Sequence, residues 1–141
     1  MQLGVLFTVL LAVDANCKFQ RDEGLAYAKA LKQFDLRWFE EPCGWDNDRK
    51  DMALLRAMTG WPIVAGQSEI TAEDCRDLMI DAAIDVCNLD ASWGGGPSVW
   101  LRVARMAHDG LARAVAKQHS SFSFRICRSC EVVEMTLADA A

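Results

Sequence analysis

Four acidic residues, Asp14, Glu40, Glu69 and Asp90, each follow a short apolar run in this 141-residue chain. Leu10 to Val13 leads to Asp14, and Leu36 to Phe39 leads to Glu40. Ile63 to Ala65 leads through Gly66-Gln67-Ser68 to Glu69, and Val86 to Leu89 leads to Asp90. Carboxylates gathered at one spot repel each other, and a hard divalent cation removes that repulsion. Mg²⁺ suits the task, because it takes oxygen ligands in near-octahedral geometry and keeps positions open for water and substrate. The chain has no GxGxxG string and no P-loop, so a metal here would not serve a nucleotide.

The elements between these acids repeat. Leu25, Ala28, Leu31 and Phe34 fall near helical spacing after the first run. Asp48 to Met58 predicts a second helix with Met52, Leu55 and Met58 on one face, and Gly60 stops it. Thr71 predicts an N-cap, with Asp74 three residues on, for a helix reaching Ile80. Gly94-Gly95-Gly96 and Pro97 precede a helix over about Ser98 to His108. Strand and helix alternating at roughly 25-residue intervals predict βαβ units and a parallel sheet. The fold class is therefore α/β, and an open doubly wound sheet shares the pattern. Acids at successive strand ends favour a partial (β/α) TIM-type barrel of about four β/α units, since a barrel converges those ends on one mouth. Residues 1–109 form this partial barrel, and 110–141 an irregular C-terminal segment.

Composition narrows the function. The net charge is −5, with both signs interspersed, which argues against a nucleic-acid binder. The apolar run Leu3 to Val13 has no Lys or Arg before it and is too short to span a bilayer. It predicts a buried strand with an apolar lead-in, no membrane partner and a cytoplasmic protein. Cys17, Cys43, Cys75 and Cys87 stand singly, as buried free thiols do. Cys127 and Cys130 form one C-x-x-C pair, where a zinc ribbon needs two. Trp38, Trp61, Trp93 and Trp100 are expected in the core or packed at the barrel mouth.

Val13-Asp14-Ala15-Asn16, Phe39-Glu40-Glu41-Pro42 and Ala65-Gly66-Gln67-Ser68-Glu69 resemble the three metal-ligand segments of the enolase superfamily. Asp85 to Asp90, with the Gly-rich turn after it, resembles the sixth-strand segment of its mandelate racemase and muconate lactonizing enzyme branch. The resemblance runs from about Leu11 to Asp109. It implies Mg²⁺ holding a carboxylate substrate while a base removes the proton α to that carboxylate, with the enediolate stabilised by the metal. By position it implies Asp14 and Glu40 as ligands, Asn16 as a substrate hydrogen-bonder and Asp90 as the acid that orients a catalytic His. Glu69 is the expected third ligand, on charge. Ungapped spacing favours Gln67 instead, which otherwise contacts substrate. A strand repeats its facing every two residues, so both could face the mouth. Glu41 reads as an outer support or a surface acid.

The implied reaction is acid-sugar dehydration, with racemisation beside it, on a small carboxylate substrate. The chain departs from the family in two ways. The family's Lys base would lie before these units, and Gly110 to Glu131 lacks the strand expected to end in a catalytic His. His119, in Lys-Gln-His-Ser-Ser, reads as a solvated loop residue. A reading frame shifted across that segment and restored near Val132 would explain its basic, Ser-rich composition; translation of the other frames of the coding DNA tests this. The alternative function is a catalytically inactive barrel fragment that keeps a metal site. Either way, the exposed edges of a part-barrel predict homo-oligomerisation or self-association.

Overall fold

Short apolar runs followed by amphipathic stretches fold as successive β/α units. The computed structural model describes residues 11–45, 48–111 and 113–114. In chain order these form β1 Leu11–Asp14, α1 Arg21–Leu31, β2 Leu36–Glu40, α2 Asp48–Thr59, β3 Ile63–Ala65, α3 Ala72–Ile80, β4 Val86–Cys87 and α4 Gly96–Met106. A π-helical turn, Ala107–Leu111, leads to a two-residue strand, β5 Arg113–Ala114. Strand order in the sheet is β1-β2-β3-β4-β5, and every neighbouring pair is parallel. The α/β class and the four β/α units expected from the sequence are present, with β5 added in a region that carried no strand expectation. His119, Cys127, Cys130 and Val132 lie outside the described residues.

The core sits between the sheet and the helices. Phe39, Ile63, Ala65 and Cys87 point from the strands into it, where Ala28, Met52, Leu55, Cys75, Leu78 and Val103 meet them. Phe39 lies edge-on to Trp61 at 6.4 Å and beside Tyr27 at 6.0 Å. Each large side chain buried here contributes roughly 1.5–3 kcal/mol of apolar transfer. At the opposite end of the sheet from the strand-end acids, Arg56 forks onto Asp85 (2.7 and 2.8 Å), whose Oδ2 also accepts from the Ile63 N–H at 3.0 Å. That paired contact clamps α2 to the entry of β3, and planar two-point pairing makes it stiffer than a single bond.

Local signals explain the boundaries. Thr71 caps α3 by accepting from the Asp74 N–H at 3.1 Å, as expected. Gly95, in the left-handed region at φ 87°, caps α4, and Pro97 falls in its first turn. The expected α2 face is corrected at one position. Met52 and Leu55 are buried, but Met58 is 64% exposed. Each three-residue step falls about 60° short of a full turn, so two such steps carry position 58 off the stripe. Thr59 takes its place and donates its hydroxyl to the Leu55 carbonyl at 2.8 Å. Cys43, Cys75 and Cys87 are buried free thiols and Cys17 is half-buried. Trp100 is buried and Trp61 packs on the core, while Trp93 is largely exposed. No helix among the described residues is long and apolar enough to cross a membrane.

Candidate metal centre

β1 and β2 pair with Ala12 beside Trp38, Val13 beside Phe39 and Asp14 beside Glu40. Val13 and Phe39 face the helices, so strand alternation turns Asp14 and Glu40 to the other face, side by side at the strand ends. Asp14 Oδ1 accepts from the Asn16 N–H at 2.8 Å, which folds the chain back over β1 with Asn16 at φ 49°. Glu40 Oε2 accepts from Trp38 Nε1 at 3.3 Å, and its Oε1 accepts from Asn88 Nδ2 at 2.9 Å.

That last contact crosses a strand. Asn88 follows β4, and β3 lies between β4 and β2. Between them β3 carries Val64, paired with Glu40, and is followed by Gly66, at φ 124°, where a Cβ would stand 2.9 Å from Cys87 Sγ. Contacts between alternate strands over the one between them are how inward side chains form layers in a barrel. Asn88 was not singled out in the sequence. Its signal is its place two residues before Asp90, on the same alternating face.

Glu41 has a role that its adjacency to Glu40 conceals. At φ 43° it leaves the strand conformation, and its side chain is 4% exposed. Its Oε1 accepts from the Gly66 and Gln67 N–H groups at 2.9 and 3.1 Å, and its Oε2 accepts from Cys17 Sγ at 3.0 Å. It is a buried tie between three loops, not a surface acid. Burial raises the Glu41 carboxyl above its usual range, against the opposing pull of those three donors. Burial, and then the contact with Glu41, push the Cys17 thiol up to about 12, so it stays protonated and donates.

The third strand end separates its two candidates. Gln67 turns to the mouth: its Nε2 reaches Asn16 Oδ1 at 3.5 Å, and its Oε1 is buried with no hydrogen-bond partner among the described residues. Asn88 Oδ1 is buried and unpartnered as well. Glu69 lies elsewhere, in a cleft of about 470 Å³ rimmed by Trp45, Asp48, Arg49, Asp74, Asp77 and Trp93. Desolvation, then Asp48, Asp74 and Glu41, push its carboxyl up to about 7, with Arg49 opposing. The expected trio of Asp14, Glu40 and Glu69 is thus not brought together. Among the described residues no three His, Cys, Asp or Glu side chains gather closely enough to hold a metal. The expectation relied on strand alternation continuing to Glu69. β3 stops at Ala65, and a turn closed by the Glu69 N–H on the Gly66 carbonyl (3.2 Å) ends that alternation.

Asp90 is 2% exposed, and its Oδ1 accepts from Ser92 N–H at 2.8 Å and from the Ser92 hydroxyl at 2.5 Å. It opens the loop to α4, on the strand next to β5. The oxygens offered at the mouth are two carboxylates and two buried amide carbonyls without donors, a hard set that fits Mg²⁺.

Comparison with known proteins agrees with this fold. The family model described as Enolase C-terminal domain-like matches residues 5–127. Arabinonate dehydratase of Saccharolobus solfataricus is 30% identical over 100 residues, covering 70% of this chain and 26% of that protein. L-talarate/galactarate dehydratase of Salmonella typhimurium is 31% identical over 97 residues, covering 69% and 24%. A mandelate racemase/muconate lactonizing enzyme from a marine actinobacterium, solved in complex with magnesium, superposes with a TM-score of 0.70 at 40% identity, covering 74% of this chain and 29% of that one. The chain spans about a quarter of the length of the curated relatives it matches.

Proposed function

The chain belongs to the Enolase C-terminal domain-like family, in the enolase superfamily, and from that footing we propose that it carries the metal-binding part of a Mg²⁺-dependent enzyme acting on an acid sugar. The observation that carries the reading is the pairing of Asp14 with Glu40 at adjacent strand ends, beside buried amide oxygens that lack donors. Asp14 and Glu40 hold the metal, and the third strand end adds Gln67 or Glu69. When bound, Mg²⁺ supplies Lewis-acid charge at the substrate carboxylate and so eases loss of the neighbouring proton. Asn16, on the loop above β1, donates its side-chain amide to substrate. Asp90, held by Ser92, is set to orient a base arriving from the next strand and to raise its basicity. The expected reaction is dehydration, with the α-proton removed and the β-hydroxyl leaving as water, or racemisation by return of the proton. Residues 1–109 supply the part-barrel for this and 110–141 the atypical segment.

The reading extends to a cytoplasmic setting, supported by four free thiols among the described residues. It extends also to self-association, supported by the edge position of β1 in the described sheet and the exposed Leu11 on it. Calorimetric titration with Mg²⁺ and a screen of acid sugars for loss of water test the proposal. Binding with dehydration supports the enzyme. Binding without turnover supports the alternative, a metal-holding fragment without catalysis. No heat and no thermal shift at millimolar Mg²⁺ overturns both.

A further inference from the structure

The mouth contains a buried polar atom with no hydrogen-bond partner among the described residues. Gln67 Oε1 is buried and accepts nothing, although the amide is held at both ends: its backbone N–H by Glu41 and its Nε2 by Asn16. A buried carbonyl oxygen left without a donor loses its hydration and gains nothing in return. A residue free to rotate would turn that oxygen to solvent. Here the Asn16 contact at 3.5 Å holds the amide with its oxygen turned inward. The same face carries Asp14 and Glu40, whose pairing puts their carboxylates on the strand ends one and two strands away from β3.

We propose that the third protein oxygen of the metal site is the amide Oε1 of Gln67, and that Glu41 is the positioning residue that aims it. The assignment rests on the metal-site reading given above and selects between its two candidates. Glu69 is two residues beyond, past the turn, in the outer cleft with Asp48 and Asp74. Glu41 acts through Gln67. By accepting from the Gly66 and Gln67 N–H groups with one oxygen, it fixes the direction in which the chain leaves β3. Gly66 at φ 124° permits that direction without a steric clash. The consequence is electrostatic. Two carboxylates against a divalent cation leave the loaded site neutral, where a third carboxylate would leave one negative charge. An anionic substrate meets less repulsion there, while the metal itself is held less tightly, since ligand charge sets affinity at oxygen sites.

The test is Mg²⁺ titration of the full chain, read by calorimetry and by the side-chain amide signals of the glutamines in nuclear magnetic resonance. In the wild-type chain the Gln67 amide signals shift with metal. Gln67→Leu loses binding, Gln67→Glu tightens it about tenfold or more, and Glu69→Gln leaves it unchanged. Glu41→Leu weakens binding about 10- to 100-fold, the range for losing a residue that orients a ligand. Glu41→Gln, whose side-chain oxygen can accept from the same two N–H groups, restores it to near wild type. Circular dichroism on each variant separates weakened binding from unfolding. Binding that survives Gln67→Leu and disappears in Glu69→Gln overturns this assignment and leaves the metal reading standing. Binding that appears only in Gln67→Glu overturns it too, because the amide is then not a competent ligand. No binding in the wild type or in any variant overturns the assignment and the metal reading together.

Discussion

The mouth and the outer cleft are built from the same loops, yet they treat acidic side chains in opposite ways. At the mouth, Asp14 and Glu40 are furnished with donors: a backbone N–H, an indole and an amide. In the cleft, Glu69 is desolvated beside Asp48 and Asp74, with Arg49 opposing them. Arg49 is itself shared, with Asp77 at 3.2 Å and Asp81 at 3.7 Å. The cleft is therefore poised to shed negative charge. The difference teaches that strand register, not the density of acids, decides which carboxylates can work together. Asp14 and Glu40 are locked by a ladder, whereas Glu69 is released by a turn.

Several variants break or sharpen that contrast. Phe39 is fully buried beneath both regions. Phe39→Ala should cost about 3–5 kcal/mol and loosen mouth and cleft alike, as urea unfolding will show. Glu40→Gln should act on the mouth alone, lowering Mg²⁺ affinity by about a hundredfold while Asp48→Asn leaves it unchanged, both read by calorimetry.

The cleft has its own signature in pH. The Glu69 carboxyl is raised to about 7 from its ordinary value of 4.5, so the folded state binds its proton more tightly than the unfolded chain. Stability from this group is complete below the unfolded value and is lost as pH rises through about 7. Melting in the presence of a chelator should therefore show wild type losing stability between those values, with Glu69→Gln flatter. The gap above pH 8 should be about 1–2 kcal/mol, allowing for the group's partial exposure to solvent. The smallest effect is at the cap of α3, which carries one wall of the cleft. Thr71→Ala should cost about 1 kcal/mol in melting experiments and leave metal affinity untouched.

Much of the fold was legible because it depends on local alternation. The apolar runs before Asp14 and Glu40, the Thr71 cap and the Gly95-Gly96-Pro97 helix start each carry their own signal in adjacent residues. What was not legible depends on backbone conformation after a strand ends. Glu41 follows Glu40 directly, and only its left-handed φ sends it under Gln67 instead of out to solvent. Glu69 stands in the outer cleft because two-residue alternation ends with the strand at Ala65, a stop that the neighbouring residues do not announce. Asn88 was overlooked because its contact with Glu40 spans a whole strand, a relation that no sequence spacing displays. Met58 shows the same limit in a helix, where a three-residue step repeated twice drifts off the buried stripe.

Three non-glycine residues above the strand ends, Asn16, Cys17 and Glu41, hold φ angles of 49°, 57° and 43°. Such conformations are uphill for L-residues and persist only where surrounding contacts over-determine them. The chain has therefore settled the shape of these loops at the moment of folding. A cation arriving at Asp14 and Glu40 would find its surroundings already ordered and would have little conformational entropy left to remove. Its association should then resemble the closing of a preformed ring rather than the freezing of a loose one. Relaxing Asn16 or Cys17 with glycine would shift that entropy from folding to binding.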